Sequence, residues 1–178
     1  MYSKLVIDDM NPDVAATGWT ALGNDTTGLL GSTTRLFDEH SLEFDKVNGA
    51  AGTVYAGAYK TIGSTKDVDL EQQDIEPWDK VTFSCYLGAI TAVANVFVRI
   101  GTDSSNYLEF SVADSTLQTA GWNFCDVAVG DAILGGTGWD PSNLTYLMVG
   151  VEFDAESDTL ANIRFERVAV VPVTLTRA

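Results

Sequence analysis

The chain has 178 residues, and 10 Lys and Arg against 25 Asp and Glu give it a formal net charge of −15. Nucleic acids and anionic membrane surfaces are bound through Lys and Arg, so neither is expected as a partner. No apolar segment approaches the length of about 18 residues that a membrane-spanning helix needs. Residues 1–9 also lack the apolar stretch of a secretory signal. We therefore expect a protein that is made and folded in a cytoplasm and is not secreted by a signal peptide.

Alternating side chains predict strands in the first third of the chain. Leu5 to Ile7 is expected to form a short first strand. Residues 23–34 are rich in Gly, Thr, Asn and Asp and are therefore predicted to be a long loop. Alternation returns in residues 41–47, where Leu42 and Phe44 are expected to face the core.

The next segment has a weaker strand pattern. Residues 53–62 alternate but are interrupted by Gly57, and Tyr55 and Tyr59 are expected to be exposed. A further short strand is predicted at residues 67–70.

The second half of the chain has the clearest strand pattern, because apolar residues recur at every second position with turn residues between the runs. A hairpin is predicted where a polar turn joins two of these runs. Pro172 is expected to end regular pairing. The predicted strands are 81–87, 93–101, 105–113, 119–129, 144–153 and 162–171, with a second long loop at 130–143. This pattern predicts an all-β fold, a two-sheet antiparallel jelly-roll sandwich formed by one domain of residues 1–172 and followed by a C-terminal tail of residues 173–178.

The two cysteines each fall on the apolar side of a predicted strand. Cys85 alternates with Phe83 and Leu87, and Cys125 alternates with Val127. This placement favours reduced core thiols, while a disulfide between them stays open as an alternative.

No catalytic set is recognisable in the sequence. His40 is the only histidine, and neither cysteine is near it in the sequence, so we interpret it as a solvated loop residue. Pairs of acidic residues are expected by chance among 25 carboxylates. We therefore expect a protein that is not an enzyme, with a hydrolase of unrecognised site as the least favoured hypothesis.

Four segments in fixed order carry a resemblance to a known family. The segments are residues 6–9 followed by Gly18-Trp19, then residues 98–107, Gly121-Trp122-Asn123, and residues 162–168. On these segments the chain resembles the galactose-binding-like jelly rolls of carbohydrate-binding modules, especially compact versions among the structural proteins of tailed bacteriophages. The resemblance implies the fold and a viral context. It says little about function, because these segments are framework rather than a binding motif.

The resemblance also implies a structural calcium ion, which many members hold between the first and last strands. Asp8, Asp9 and Glu166 match those regions, and Ca²⁺ requires several oxygens around one point. The family usually has Asp in the final strand, whereas Glu166 is flanked by Arg164 and Arg167. Ion pairing is therefore the alternative, and we expect no other cofactor.

Exposed aromatic rings would be the basis of sugar binding on such a fold, because they stack on the C–H face of a pyranose. Trp78 and Trp139 lie in predicted loops, and Asp140 and Asn143 beside the second could fix hydroxyl groups. Packing of both indoles beneath loops is the alternative. The other two tryptophans, Trp19 and Trp122, are expected in the core.

The tail supplies a third candidate for binding. Val173 and Leu175 alternate with threonines and could add to the edge of a partner's sheet. A frayed terminus is the alternative.

Two functional hypotheses follow. The first is a non-enzymatic virion protein of a tailed phage, a capsid decoration or cement protein on the outer shell, with the major capsid protein or another virion protein as partner. The second is a carbohydrate-binding module of a phage tail fibre, baseplate or carbohydrate-active system, with a cell-surface glycan as partner. The oligomeric state, including a homo-oligomer, stays open.

Overall fold

The computed structural model describes residues 5–37, 39–49, 52–62, 75–118 and 120–173. The described residues form antiparallel strands joined by turns and by two short 3₁₀ turns, and they include no helix long and apolar enough to cross a membrane. The strands are β1 (Leu5–Asp8), β2 (Thr20–Ala21), β3 (Thr26–Ser32), β4 (Ser41–Lys46), β5 (Tyr55–Thr61), β6 (Lys80–Leu87), β7 (Val93–Asp103), β8 (Asn106–Ala113), β9 (Gly121–Ala128), β10 (Ile133–Gly135), β11 (Tyr146–Phe153) and β12 (Leu160–Val171).

The strands are arranged in two six-stranded sheets. Sheet 1 has the order β3-β4-β12-β6-β9, and β1 also pairs with β12. Sheet 2 has the order β10-β8-β7-β11-β5-β2. The predicted two-sheet antiparallel sandwich is therefore confirmed.

The core lies between the sheets and is filled by the side chains of every second residue along the strands. The inward side chains are fully buried, as expected for strands that present one face to a core and the other to solvent. Among them are Leu42, Phe44, Phe83, Val98, Phe110, Leu147, Val149, Val151 and Phe165.

The predicted hairpin is confirmed and its turn is stabilised locally. Asp103 at the end of β7 accepts hydrogen bonds at Oδ1 from the backbone N–H groups of Ser105 (2.7 Å) and Asn106 (3.0 Å). These bonds lower the pKa of Asp103, with the side chain of Asn106 as the largest cause. A carboxylate that caps its own turn in this way fixes the register of the two strands.

The prediction of a loop at 23–34 is wrong, because β3 lies within it. The strand is irregular: its register against β4 shifts between Thr27 and Leu30, and Gly28 has a φ of +65°. Gly31 has no room for a side chain, since a Cβ there would lie 2.2 Å from the carbonyl oxygen of Asp13. Such an interrupted edge strand lacks the alternation by which strands are recognised in a sequence.

The second predicted loop, 130–143, is also partly wrong. It contains the three-residue strand β10 at the edge of sheet 2. The sequence pattern does not predict the two-residue strand β2 either. Strands this short have too few residues to show a period. The strand predicted at 67–70 lies outside the described residues.

A buried ion pair lies at the end of β4. Lys46 Nζ is 3.5 Å from Asp25 Oδ2, and both side chains are almost fully buried. The ammonium also donates to the carbonyl oxygens of Val47 (2.8 Å) and Glu156 (3.0 Å). Asp25 accepts hydrogen bonds from the backbone and the hydroxyl of Thr53, both at 3.0 Å. Each charge is thus satisfied, which a buried charge requires.

The two cysteines are free thiols in the core, as predicted. Cys85 Sγ and Cys125 Sγ are 4.0 Å apart on the neighbouring strands β6 and β9. The contact with Cys125, followed by burial, raises the pKa of the Cys85 thiol. The thiol of Cys85 is therefore protonated and poorly reactive.

Candidate functional site

The outer face of sheet 2 carries an aromatic cluster in place of the polar residues usual on a solvent-facing sheet. The inward phase of β7 contributes to the core, and the outward phase of the same strand places Phe97 and Arg99 on this face. We call it the tyrosine face and define it by Tyr55, Tyr59, Phe97, Arg99, Tyr107, Tyr146 and Met148.

Strand register brings these side chains together from four strands. In one row across the sheet, Glu109 pairs with Arg99, Arg99 with Met148, and Met148 with Tyr59. Strands in a sheet are about 4.8 Å apart, so the row from β8 to β5 spans about 14 Å. That length accommodates more than a single small ring.

Arg99 is the centre of the tyrosine face. Its Nε donates to Glu109 Oε2 at 2.7 Å, and its guanidinium carbon lies 4.7 Å from the ring centre of Phe97 and 4.6 Å from that of Tyr107. A guanidinium has five N–H donors. Among the described residues, Glu109 accepts a hydrogen bond from Nε, and the sulfur of Met148 accepts a weak one from Nη1 at 3.9 Å. The remaining donors of a side chain that is 21% exposed can bind a ligand.

Acceptor groups lie beside these donors. Glu152 Oε2 accepts a hydrogen bond from Asn95 Nδ2 at 2.8 Å, four residue pairs along β11 and β7 from Met148 and Arg99. Burial, and then the charge of Glu152, raise the pKa of Tyr55. The phenol of Tyr55 is therefore neutral at pH 7 and keeps its proton for donation.

The floor of the tyrosine face is tightly packed. Phe97 and Met148 are each 1% exposed although they point away from the core. The ring of Tyr55 meets that of Phe97 edge-on at 6.0 Å, and Tyr59 lies 5.9 Å from Tyr146. Rings held by one another in this way lose little conformational entropy when a ligand binds.

Two glycines, opposite each other in β5 and β11, make room for this packing. A Cβ on Gly150 would lie 2.6 Å from Phe97 Cζ, and a Cβ on Gly57 would lie 2.4 Å from the carbonyl oxygen of Val149. The ring of Phe97 therefore lies across β11 only because residue 150 has no side chain.

The tyrosine face combines flat aromatic surface with donors and acceptors. Aromatic faces pack against the C–H face of a sugar ring, and guanidinium, carboxylate and phenol groups bind hydroxyls. This arrangement suits a polar ligand with apolar patches, which is the chemistry of a carbohydrate.

The tryptophans predicted as binding residues have different positions. Trp78, in the turn before β6, is 45% exposed. Trp139 instead packs against the main core, and its buried Nε1 has no hydrogen-bond partner among the described residues. The expected exposed Trp139 platform is therefore not observed, and its ring follows the alternative, packing beneath a loop.

Asp140 and Asn143 lie together in a tight turn after Trp139. Asp140 Oδ1 accepts from the backbone N–H of Ser142 at 3.0 Å and from its hydroxyl at 2.7 Å. The backbone N–H of Asn143 donates to the carbonyl oxygen of Asp140 at 3.2 Å. The carboxylate of Asp140 thus stabilises its own turn, while both side chains stay exposed.

The residues predicted to hold calcium are not brought together as a ligand set. Asp8 accepts from the backbone of Met10 at 2.8 Å and pairs with Lys60, whereas Asp9 is exposed. Glu166 is fully buried and accepts hydrogen bonds from the 36–37 backbone. No group of three or more His, Cys, Asp or Glu among the described residues is placed to hold a metal ion.

Of the two residues predicted in the tail, only Val173 is described. Its backbone N–H donates to Asp79 Oδ1 at 3.1 Å, and Leu175 lies outside the described residues. The prediction of an added strand there stays a prediction.

Trp19 is buried in the core as expected, but Trp122 is not. Trp122 lies partly exposed on the outer face of sheet 1, edge-on to Tyr86 with ring centres 5.7 Å apart. Trp122 lies three residues before the buried Cys125 in β9, so the two side chains point to opposite faces of the strand. This spacing indicates the outward orientation of Trp122 from the sequence.

The alternation of the strands does not indicate the tyrosine face for a related reason. An outward phase is usually solvent-facing, so the pattern alone does not distinguish Arg99 and Tyr107 as binding residues. A signal was nevertheless present: Phe97 interrupts the outward phase of β7 with an apolar residue, and Tyr55 and Tyr59 share one phase of β5.

Comparison of the sequence with models of protein families gives no match, and comparison with curated proteins gives none either. Solved structures do match the fold. A family 11 carbohydrate-binding module from Clostridium thermocellum in complex with a β-1,3-1,4-mixed-linked tetrasaccharide is similar with a TM-score of 0.61 and 11% identity, covering 94% of each chain.

Two further structures show the same similarity. The family 30 carbohydrate-binding module of a cellulosomal cellulase from Clostridium thermocellum has a TM-score of 0.60 and 14% identity, covering 96% of this chain and 98% of its own. An exo-β-agarase has a TM-score of 0.58 and 10% identity, covering 96% of this chain and 26% of the agarase. Identities this low establish the fold alone, the jelly-roll β-sandwich of carbohydrate-binding modules.

Proposed function

We propose that the chain is a carbohydrate-binding module that holds a neutral glycan on the tyrosine face of sheet 2. The single observation that carries this proposal is Arg99, held between the rings of Phe97 and Tyr107 with N–H donors to spare. An arginine fixed among half-buried tyrosines is prepared to bind hydroxyls beside a stacked sugar ring.

The net charge selects the class of glycan. A chain of formal charge −15 repels sulfated and uronic acid polymers at long range. Neutral polysaccharides meet no such repulsion. The row of side chains from β8 to β5 spans about 14 Å, and this length favours an internal stretch of a glycan chain over a single sugar residue.

Of the two functional hypotheses from the sequence, the second gains support from the tyrosine face and from the similarity to carbohydrate-binding modules. The capsid decoration hypothesis gains none from these observations, and a virion location stays a prediction. Absence of catalysis is likewise part of our proposal, and glycan binding on the tyrosine face requires no cofactor.

Affinity electrophoresis through gels with soluble polysaccharides tests the proposal. The panel contains neutral chains (mixed-linked β-glucan, xyloglucan and galactomannan) and acidic ones (alginate and polygalacturonate). We expect at least one neutral polymer to retard the wild-type protein and no acidic polymer to do so. Tyr107→Ala should weaken the retardation because it removes a half-buried ring beside Arg99.

Trp78→Ala is the matched control, since it removes an exposed aromatic residue that lies outside the tyrosine face. It should leave retardation unchanged. A folded Tyr107→Ala protein that is retarded like the wild type would contradict the proposal, as would a wild-type protein that no neutral polymer retards.

A further inference from the structure

The outer face of sheet 1, on the opposite side of the sandwich, has a groove of about 640 Å³. This volume is within the range of about 300 to 1,000 Å³ of small-molecule binding sites. The side chains that carry the argument are Phe37, Lys80, Thr82, Phe124, Asp126 and Arg167.

Two phenylalanines on the groove are exposed to water. Phe124 is 70% exposed and Phe37 56%, and their rings meet edge-on with centres 6.3 Å apart. The loop that carries Phe37 is fixed, because the backbone N–H groups of Leu36 and Phe37 donate to the buried Glu166 carboxylate at 2.6 and 3.1 Å. The fold therefore holds one apolar ring against another in a place where burial does not stabilise either.

The groove is also lined by the apolar residues Ala169, Val171, Pro172 and Val173, and groups of both charges lie beside them. Lys80 and Asp126 form an ion pair at the rim, with side chains 44% and 45% exposed. Both groups can therefore form further hydrogen bonds on the solvent side. Arg167 adds a guanidinium, and Thr82 on β6 adds a hydroxyl. Donors and acceptors thus lie side by side, next to the face of Phe124.

We propose that this groove is a second carbohydrate-binding site, which takes a neutral oligosaccharide with one sugar ring stacked on Phe124. Sugar hydroxyls both donate and accept, as the Lys80–Asp126 pair requires, and the C–H face of the ring covers the phenylalanine. An apolar peptide in the same place would desolvate the ion pair without replacing its bonds to water. An acidic ligand is excluded by the net charge of −15.

The proposal goes beyond the proposed function, because it gives one chain two binding faces on opposite sheets. Such a protein connects two polysaccharide chains. It also binds a polymer bivalently, which raises its apparent affinity above that of either site.

Calorimetric titration with oligosaccharides hydrolysed from the neutral polymers of the panel above tests the second site. We expect two ligands per wild-type chain and one per chain in both Phe124→Ala and Tyr107→Ala. The double variant should bind none. Phe124 is largely exposed, so its removal should leave the thermal midpoint within about 2 °C of the wild-type value.

Amide chemical shifts identify which site each ligand occupies. In Tyr107→Ala, saturation with oligosaccharide should shift the amides of Thr82 and Asp126 and leave those of the tyrosine face in place. Asp126→Asn should weaken this binding at least threefold without unfolding the protein.

The two proposals fail separately in these experiments. One ligand per wild-type chain, with shifts confined to the tyrosine face, would overturn the second site and leave the proposed function intact. One ligand with shifts confined to the groove would do the reverse. No binding at all would overturn both.

Discussion

Replacement of Lys46 by Met should strongly destabilise the fold. Methionine keeps most of the apolar stem but removes the ammonium that Asp25, Val47 and Glu156 bind. The carboxylate of Asp25 then stays buried without the ammonium of Lys46, although Thr53 still donates two hydrogen bonds to it. Breaking one partner of a buried ion pair costs about 3–5 kcal/mol.

In a domain of this size a loss of 1 kcal/mol lowers the thermal midpoint by roughly 2–4 °C, so Lys46→Met should lower it by about 6–20 °C. Urea denaturation gives the free energy directly. The midpoint concentration should fall with little change in slope, because the native surface is the same in both proteins. Adding Asp25→Asn should recover at least about 1 kcal/mol, since the buried negative charge that faced Lys46 is then gone.

Lys80→Met is the matched control. Its ion pair with Asp126 is about half exposed, and exposed pairs contribute about 0–1 kcal/mol. If Lys46→Met lost no more stability than Lys80→Met, the buried ammonium would not be a structural element of this fold.

Further variants test the packing of the tyrosine face. Gly57→Ala should cost about 1–3 kcal/mol in urea denaturation, because its Cβ would press on a backbone oxygen of the neighbouring strand, whereas Gly88→Ala, with 3.9 Å of space, should be neutral within about 0.5 kcal/mol. Burial raises the pKa of Tyr146, so its stabilising contribution is complete below the unfolded pKa of about 10 and is lost as the pH rises through the folded value. Tyr146→Phe should therefore flatten the loss of stability between pH 10 and 12, and an unchanged alkaline profile would contradict this assignment.

The strands of the second half could be predicted because both phases of their alternation are clear. In β7, for example, Val96, Val98 and Ile100 face the core at every second position, and Phe97 and Arg99 lie between them. Residues 26–32 could not be recognised, because a strand that bulges at Gly28 has no constant period. Recognition of such an edge strand depends on its pairing with β4, which the pattern of residues 26–32 alone does not show.

The site was harder to predict than the fold. The exposure of a loop tryptophan depends on contacts far along the chain, and Gly138 N–H, for instance, donates to Asn106 Oδ1 at 2.8 Å beside the β7–β8 hairpin. That contact fixes the loop in which Trp139 turns inward. The tyrosine face, in turn, depends on the register of four strands, which places Arg99 beside Tyr107 and Met148 only after the sheet has formed.

Glycan binding on the tyrosine face is tested most directly by a chemical-shift map of ¹⁵N-labelled protein titrated with a neutral oligosaccharide from the polymer that retards it. We expect saturable shifts at Tyr55, Phe97, Arg99 and Tyr107, and we expect these shifts to be lost in Tyr107→Ala. Saturable binding that leaves all four of these amides unshifted would contradict the assignment of the tyrosine face as the glycan-binding site.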